Sequence, residues 1–194
     1  MQPATLPQQA SPTRILGIDP GTNVLGFALI DADKRAIQVL EIGVVTFAHI
    51  GAEQTVKLRH IFEQVQDLVQ QYRPSEMAIE APFYAKNPQS MLKLGRAQGV
   101  AIAAGMVNGL VITEYLPKKI KRAITGNGNA SKEQVAGMLE NILKRPFQEK
   151  YFDATDALAV AVCHWFQSSG PAKDRKTYSG WGAYVKGNPE KVKK

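Results

Sequence analysis

The sequence predicts an α/β fold in which a five-stranded mixed sheet is flanked by helices. Short apolar segments rich in β-branched residues lie within residues 14–47, 76–80 and 110–115, and longer segments with apolar residues at helical spacing separate and follow them. The chain has 194 residues, enough for one domain with a substantial core but a tight fit for two. The predicted element order is therefore βββαβαβ followed by helices.

The first three strands are predicted by a hairpin and the segment after it. The apolar residues 15–18 lead into the acid Asp19, a Pro-Gly turn follows, and a second apolar run returns to Asp31. Residues 36–47 are β-branched and mostly apolar, so we expect a third antiparallel strand there.

Two helices alternate with the last two strands. Apolar residues at helical spacing predict a helix over residues 53–72, which an Arg-Pro pair terminates. Residues 76–80 are the fourth strand, and residues 88–108 are a second helix whose glycines and alanines permit close helix packing. Residues 110–115 complete the predicted sheet.

Two further helices are predicted in the last third of the chain. Ser131-x-x-Gln134 is a capping box, which marks a helix start, and the Ala, Leu and Val content of residues 151–166 favours another helix. Asp153 and Asp156 are three residues apart in its first turn, so they share one face. Because acids are favoured at helix N-termini, capping and dipole compensation are an alternative explanation for both.

Two other acids stand at strand ends, where a side chain can face a cleft instead of the core. Asp19 ends the first strand, and Glu80 ends the fourth strand just before Pro82, which stops strand pairing. Carboxylates that converge from separate elements can hold two Mg²⁺ ions about 3.5–4 Å apart for phosphodiester hydrolysis. No other ligand cluster competes for this role, since the three His are scattered and Cys163 is alone. We expect Cys163 and His164, on the last helix, to be packing residues and not ligands.

A basic segment precedes the helix that begins near Ser131. It contains Lys118, Lys119, Lys121 and Arg122, and a loop rich in Gly and Asn follows it. Ammonium groups and free backbone N–H groups of this kind can contact phosphate. An ordinary solvated helix face is the alternative explanation for the four cations.

Charge and composition narrow the class of protein. The net charge is +7, of which +5 lies in residues 170–194, where seven Lys or Arg accompany two acids. We expect this basic tail to be flexible, either as a solvated end or as a DNA or partner contact through Tyr178, Trp181 and Tyr184. Residues 1–13 carry no charge and are expected to be a disordered extension.

Without a signal peptide or a long apolar run, we expect a cytoplasmic protein with no membrane partner.

The motifs, in their order along the chain, resemble those of the RuvC-type Holliday-junction resolvases. They are Ile18-Asp19-Pro-Gly-Thr, Ala78-Ile-Glu80 followed by Phe83 and Ala85-Lys86-Asn87, Ser90-Met-Leu-Lys-Leu-Gly95-Arg-Ala-Gln-Gly99-Val-Ala, and Asp153-Ala-Thr-Asp156-Ala-Leu-Ala. The likeness extends from about residue 14 to residue 167. We therefore place the nuclease domain at residues 14–169, between the N-terminal extension and the basic tail.

The resemblance implies a ribonuclease-H-like fold, a homodimer, two Mg²⁺ ions per site and paired nicks in a four-way DNA junction. It carries the catalytic and metal-ligand roles onto Asp19, Glu80, Asp153 and Asp156, and family members vary at the position of Asp153. The predicted helix over residues 88–108 is the candidate dimer interface, although packing on its own sheet would also explain its small residues. A RuvAB-type branch-migration complex is a further partner that the resemblance suggests.

The resemblance also implies DNA contacts outside the acids. Lys121 and Lys132 correspond to backbone contacts near the cut, and Lys86 lies in a matched motif that we assign to DNA binding. Phe83 corresponds to an aromatic on the cleft rim that inserts among bases at the crossover. From the residues alone, packing of Phe83 in the core is the alternative.

Two other functions stay open at this point. The turn Asp19-Pro-Gly-Thr22 also resembles the phosphate-binding hairpin of actin-like and sugar-kinase ATPases, which need two lobes and a second phosphate loop. A non-catalytic junction-binding subunit on the same fold is the second alternative.

Overall fold

One mixed sheet with helices on both faces organises the protein. The computed structural model describes residues 12–47, 50, 53–82, 87–146 and 152–168, with the first two residues of the last range described by backbone only. In chain order the elements are β1 (Thr13–Pro20), β2 (Val24–Ala32), β3 (Ile37–Thr46), α1 (Gln54–Tyr72), β4 (Glu76–Glu80), α2 (Pro88–Val107), β5 (Val111–Tyr115), α3 (Pro117–Thr125), α4 (Lys132–Leu143) and α5 (Phe152–Ser168). The predicted fold class and the predicted order of strands and helices are confirmed, and α3 is an addition to them.

The sheet has the strand order β3-β2-β1-β4-β5. β2 pairs antiparallel with β1 and β3, as the hairpin predicts, whereas β4 pairs parallel with β1 and with β5. Parallel pairing requires crossover connections, which α1 and α2 supply. As a result the carboxyl ends of β1, β4 and β5 lie at the same edge of the sheet.

The sheet separates two hydrophobic cores, because successive residues of a strand point to opposite faces. In β1, Ile15 belongs to the core beneath α3, α4 and α5, whereas Leu16 and Ile18 belong to the core beneath α1 and α2. In β4, Ala78 lies in the first core, and Met77 and Ile79 lie in the second. Residues of β1 and β4 that alternate with this second set therefore face α5.

Capping residues set the ends of several helices. The capping box of α4 is present as predicted: the Ser131 hydroxyl accepts from the Gln134 backbone N–H, and the Gln134 side chain accepts from the Ser131 N–H. The side chain of Asn87 caps α2, with Pro88 at the first helical position. α1 ends at Arg73, whose φ of 50° is left-handed.

α3 is a short amphipathic helix formed by the basic segment. Ile120 and Ile124, four residues apart, are its buried residues, so the cations lie on its remaining surface. Gly126 ends it with a left-handed φ of 78°, and its backbone N–H donates to the carbonyl of Arg122 at 2.9 Å. The two buried isoleucines therefore fix the part of the backbone from which the basic side chains project.

α5 packs unusually close to β1, and Gly17 permits this approach. A Cβ atom at Gly17 would lie 2.3 Å from the carbonyl oxygen of Ala157 and 2.8 Å from Cβ of Ala161. Those atoms belong to successive turns of α5, so any side chain at position 17 would force the helix away from the strand. Small residues on both elements therefore set the distance between α5 and the sheet.

Several predictions from the sequence concern residues outside this description. β1 begins at Thr13, at the end of the predicted extension, and the basic tail over residues 170–194 lies outside the described residues. None of the described helices is long and apolar enough to cross a membrane.

Replacing Gly17 with alanine should destabilise the fold by about 1–3 kcal/mol, because the added methyl group overlaps backbone atoms of α5. Urea unfolding measures this difference in the free energy of unfolding. Gly137, inside α4, is the matched control, since a Cβ there meets no described atom within 4 Å. Gly137→Ala should leave stability unchanged or raise it by up to about 1 kcal/mol. Equal effects of the two substitutions would contradict the close approach of α5.

Candidate active site

Asp19 and Glu80 lie side by side at the carboxyl edge of the sheet. Ile18 of β1 pairs with Ile79 of β4 in parallel register, and each acid is the next residue of its strand. Both acids alternate with residues of the α1–α2 core, so both face α5. The backbone N–H of Ala81, just beyond Glu80, donates to the Tyr115 carbonyl at 2.9 Å and extends the pairing of β4 with β5.

Asp156 comes from the opposite side of the cleft, on α5. It directly precedes Ala157, one of the two alanines in contact with Gly17, so the close approach of helix and strand brings its carboxylate toward those of β1 and β4. Asp153 lies one turn earlier in α5, and its side chain is outside the description.

The three described acids line one cavity of about 190 Å³ at the edge of the sheet. We call it the acidic cavity, and its lining residues are Asp19, Glu80, Pro117, Ile120, Lys121, Lys132, Val135, Asp156 and Ala159. β1, β4, α3, α4 and α5 all contribute to this lining. The site therefore depends on the mutual packing of five separate elements.

Two lysines and an apolar wall complete the acidic cavity. Lys121 projects from α3, and Lys132 from the first turn of α4 pairs with the Asp156 carboxylate. The Lys132 side chain is 57% exposed, so this ion pair contributes about 1 kcal/mol or less to folding. Its significance is chemical, because it places an ammonium group directly beside the acids.

The pKa of Glu80 is raised by both the burial and the charges of the acidic cavity. Burial raises the pKa of its carboxyl to about 8, helped by the charges of Asp19 and Asp156 and opposed by Lys132 and Lys121. At neutral pH the Glu80 carboxyl is therefore mostly protonated. A cation that entered the cavity would displace this proton, since it would replace the repulsion among three carboxylates by attraction.

The donor set of the acidic cavity suits a hard divalent cation. Carboxylate oxygens are the ligands that Mg²⁺ prefers, and Mg²⁺ keeps part of its water shell, so widely spaced acids can share it. Within the described part of the chain, no three Asp, Glu, His or Cys side chains are close enough to hold one ion as they stand. Entry of an ion would thus draw the carboxylates together and compete with Lys132 for Asp156.

The remaining predicted DNA contacts divide between the α3 surface and residues outside the description. Lys118, Lys119 and Arg122 are exposed on α3, and the ammonium nitrogen of Lys119 lies 4.8 Å from the centre of the Tyr115 ring. Phe83 and Lys86 fall outside the described residues.

Sequence reasoning missed the residues that give the acidic cavity its shape. Pro117, Ile120, Val135 and Ala159 form its apolar wall, and Gly17 sets the position of α5 behind it. The 120/124 spacing of isoleucines after a proline was the available signal for α3. Cys163, expected to be a packing residue, is a buried free thiol whose pKa is raised by burial to about 11.

A five-stranded mixed sheet with helices on both faces and acids at its carboxyl edge defines a ribonuclease-H-like nuclease fold. The Thermus thermophilus structure titled RuvC in complex with Holliday junction substrate superposes with a TM-score of 0.72 and 28% identity, covering 81% of this chain and 95% of that one.

Sequence comparison gives the family. A family model described as crossover junction endodeoxyribonuclease RuvC matches residues 15–164. The protein of that name from Christiangramia forsetii is 54% identical over 179 residues, covering 92% of both chains. The one from Cytophaga hutchinsonii is 53% identical over 181 residues, covering 92% of this chain and 88% of the relative. The chain belongs to the RuvC family of crossover junction endodeoxyribonucleases, and the ATPase alternative is not favoured.

Because the pKa of Glu80 is raised, Glu80→Gln should increase the thermal stability of the protein in metal-free buffer, by an amount that depends on pH. The ordinary value is 4.5 and the folded value about 8, so the folded protein binds this proton more tightly than the unfolded chain. The stability that the protonated Glu80 carboxyl contributes is fully present below pH 4.5 and is lost as pH rises to about 8. Glu80→Gln, which carries no charge, should therefore melt at a higher temperature than wild type at pH 8 and at a similar one at pH 5.

Glu133→Gln provides the control for this melting experiment. Glu133 is an exposed acid in the first turn of α4, and its pKa is lowered, chiefly by a hydrogen bond with Ser131. Removing its charge should give no gain at pH 8. A Glu80→Gln protein with the same pH dependence as wild type would contradict the electrostatics of the acidic cavity.

Proposed function

We propose that the protein is a structure-selective endonuclease that resolves four-way DNA junctions by paired symmetric nicks in recombination and repair. The observation that carries the proposal is the acidic cavity: carboxylates from β1, β4 and α5 face one another beside two lysines, in a chain of the RuvC family. A relative of that family has been solved with a Holliday junction substrate. Junction shape, more than base sequence, would select the substrate.

Asp19, Glu80 and Asp156 are the residues proposed to hold two Mg²⁺ ions, with Asp153 as a fourth ligand one turn earlier on α5. Bound in this way, the ions would supply a nucleophilic water and stabilise the leaving oxygen. The fold of the chain fixes the positions of the acids. Asp19 and Glu80 lie at the ends of strands that have a hydrophobic core on each face, and Asp156 lies on α5, which is buried in one of those cores. The chain also contributes an apolar wall that limits access of bulk water to the reacting phosphate.

Lys121 and Lys132 are proposed to contact the DNA backbone near the cut. Both line the acidic cavity, so a phosphate that reaches the acids must pass within range of two ammonium groups. Lys132 pairs with Asp156. Binding of a cation to the Asp156 carboxylate would release the Lys132 ammonium group toward phosphate. Lys132 and Asp156 would thus exchange partners if metal and substrate were bound together.

The outer cations of α3 extend this surface. Lys118, Lys119 and Arg122 are proposed to follow the backbone of one junction arm. The loop beyond Gly126 adds little to this surface, because the backbone N–H groups of Asn127, Asn129 and Ala130 already donate within the chain. We retain Lys86 as a DNA contact and Phe83 as a ring that inserts among bases at the crossover, both on the basis of the resemblance.

A homodimer is proposed because paired nicks in a nearly two-fold symmetric junction require two equivalent sites. α2 offers a surface for it, the α2 outer face, formed by Leu92, Gly95, Gly99, Ala103 and Met106. These residues are three or four apart and lie on one side of the helix. Leu92 and Met106 are 54% and 63% exposed, a large apolar exposure for a lone chain.

The glycines of α2 favour an interface over internal packing. A side chain added at Gly95 or Gly99 would meet no described atom within 4 Å, so packing within one chain does not explain their small size. Gly105 differs, because a Cβ there would lie 2.7 Å from Met77 and 2.9 Å from Ile112 of the sheet. Gly105 thus allows α2 to pack closely on the sheet, whereas Gly95 and Gly99, on the opposite face, leave room for a partner.

Substituting a single proposed ligand should remove cleavage without removing binding. Asp19→Asn, Glu80→Gln and Asp156→Asn should each slow single-turnover cutting of a synthetic four-way junction in Mg²⁺ by about 10²-fold or more. Junction affinity, measured by gel shift in Ca²⁺, should stay equal or increase, because negative charge near phosphate is reduced. Glu63→Gln, on the exposed surface of α1, is the control and should cut like wild type. A variant that cuts at the wild-type rate removes its residue from the site, and wild type that binds without cutting would favour the non-catalytic alternative.

Gly99→Gln should separate the dimer without weakening the fold of the monomer. The added side chain has open space within one chain but would occupy the proposed contact, and Gln is a better helix former than Gly. Light scattering at micromolar concentration should report a dimer for wild type and a monomer for Gly99→Gln. Gly137→Gln, at an open glycine of α4 away from the α2 outer face, should remain dimeric. A monomeric wild type with full activity would refute the proposal.

A further inference from the structure

A buried chain of hydrogen bonds crosses the space between α5 and the sheet, away from the acidic cavity. The hydroxyl of Tyr115 on β5 lies 2.8 Å from Nδ1 of His164 on α5, and Nε2 of His164 lies 2.5 Å from a carboxylate oxygen of Glu76 on β4. Tyr115 and His164 are only 3% and 5% exposed. Two elements of the site, β4 and α5, and the neighbouring strand β5 are therefore joined by polar groups in the core.

The donors and acceptors in this chain match. The Glu76 carboxylate only accepts, so His164 donates from Nε2, and an unprotonated Nδ1 accepts from the Tyr115 hydroxyl. Burial, together with the charges of Cys163 and Glu76, raises the pKa of Tyr115 to about 12, which keeps its hydroxyl proton available as a donor. Loss of any member would leave a buried partner without its hydrogen bond.

The positions of these residues relate the network to the acids. Glu76 and Glu80 are the two ends of β4 on the face toward α5, about 13 Å apart along the strand. His164 and Asp156 are eight residues apart on α5, about 12 Å along the helix axis. α5 therefore meets β4 at two points of matched spacing: Asp156 beside Glu80 in the acidic cavity, and His164 on Glu76 at the other end.

We infer that Tyr115, His164 and Glu76 are positioning residues that fix the register of α5 along β4 and β5, and so hold Asp156 opposite Asp19 and Glu80. The Ala-rich contact with Gly17 sets how near α5 lies but has no directional bonds, so small residues alone permit sliding along the strand. A hydrogen bond at 2.5 Å to one carboxylate oxygen does not permit it. The inference rests on the proposed metal-binding role of the acids and adds the residues that keep them in place.

Two substitutions break the network with little change in volume or charge at the cavity. Tyr115→Phe removes only the hydroxyl, and Glu76→Leu removes the acceptor at a position that is 28% exposed. Each should weaken Mn²⁺ binding, followed by electron paramagnetic resonance of the free ion, and single-turnover junction cutting by about 10-fold. The double variant should lose no more than the worse single variant, because both changes break one network. Glu76→Gln keeps an acceptor oxygen for His164 and should stay within about 3-fold of wild type.

If Tyr115, His164 and Glu76 only stabilised the fold, their loss would affect Mn²⁺ binding no more than an equally destabilising change elsewhere in the core. Val65→Ala removes core volume beneath α1, in the core on the other side of the sheet, and serves as a control with a comparable loss of melting temperature. It should bind Mn²⁺ like wild type. If Tyr115→Phe and Glu76→Leu also bind and cut within about 2-fold of wild type, or if Val65→Ala weakens Mn²⁺ binding equally, the inference is overturned while the proposed function stands. A wild type that neither binds Mn²⁺ nor cuts would instead overturn the proposed function and the inference with it.

Discussion

The contact between α5 and β1 is the constraint on which the site depends. Gly17 leaves room for the backbone of α5 at Ala157, and the residue before Ala157 is Asp156. A larger residue at position 17 would move α5 outward and separate its carboxylate from those of the strands. The same approach buries the Ala- and Val-rich face of α5 in the core, so the packing that stabilises the fold also forms the acidic cavity.

The acidic cavity is an electrostatically costly arrangement that its proposed function explains. Three carboxylates line a cavity of about 190 Å³ and repel one another, and this repulsion adds to the burial that raises the pKa of Glu80. Folding alone would favour fewer charges here, whereas catalysis requires ligands for cations and lysines for phosphate. Lys132 relieves part of the repulsion through Asp156, and its side chain is exposed enough for the proposed contact with DNA.

The sequence predicted the strand-end acids because local patterns and general topology were sufficient for them. Apolar runs ending in Asp19 and Glu80 identified two strands, and parallel pairing brought their ends together. The helix α3 was only an alternative explanation of the basic segment, because the four cations pointed to phosphate more directly than the spacing of two isoleucines pointed to a helix. His164 was assigned to packing, since no local pattern shows that Tyr115 and Glu76, distant in sequence, supply its partners. Contacts of this kind follow from tertiary packing, which periodicity does not encode.

The central claim is that Asp19, Glu80 and Asp156 converge in the acidic cavity. The most direct test is to titrate the Glu80 carboxyl in metal-free protein and to observe it by NMR of ¹³C-labelled glutamate. The account predicts a pKa near 8 in wild type, because burial and the charges of Asp19 and Asp156 both favour the protonated form. The pKa should fall in Asp19→Asn, where one of those charges is removed. A wild-type Glu80 that titrates near 4.5, or one that does not respond to Asp19→Asn, would contradict the convergence of the three acids.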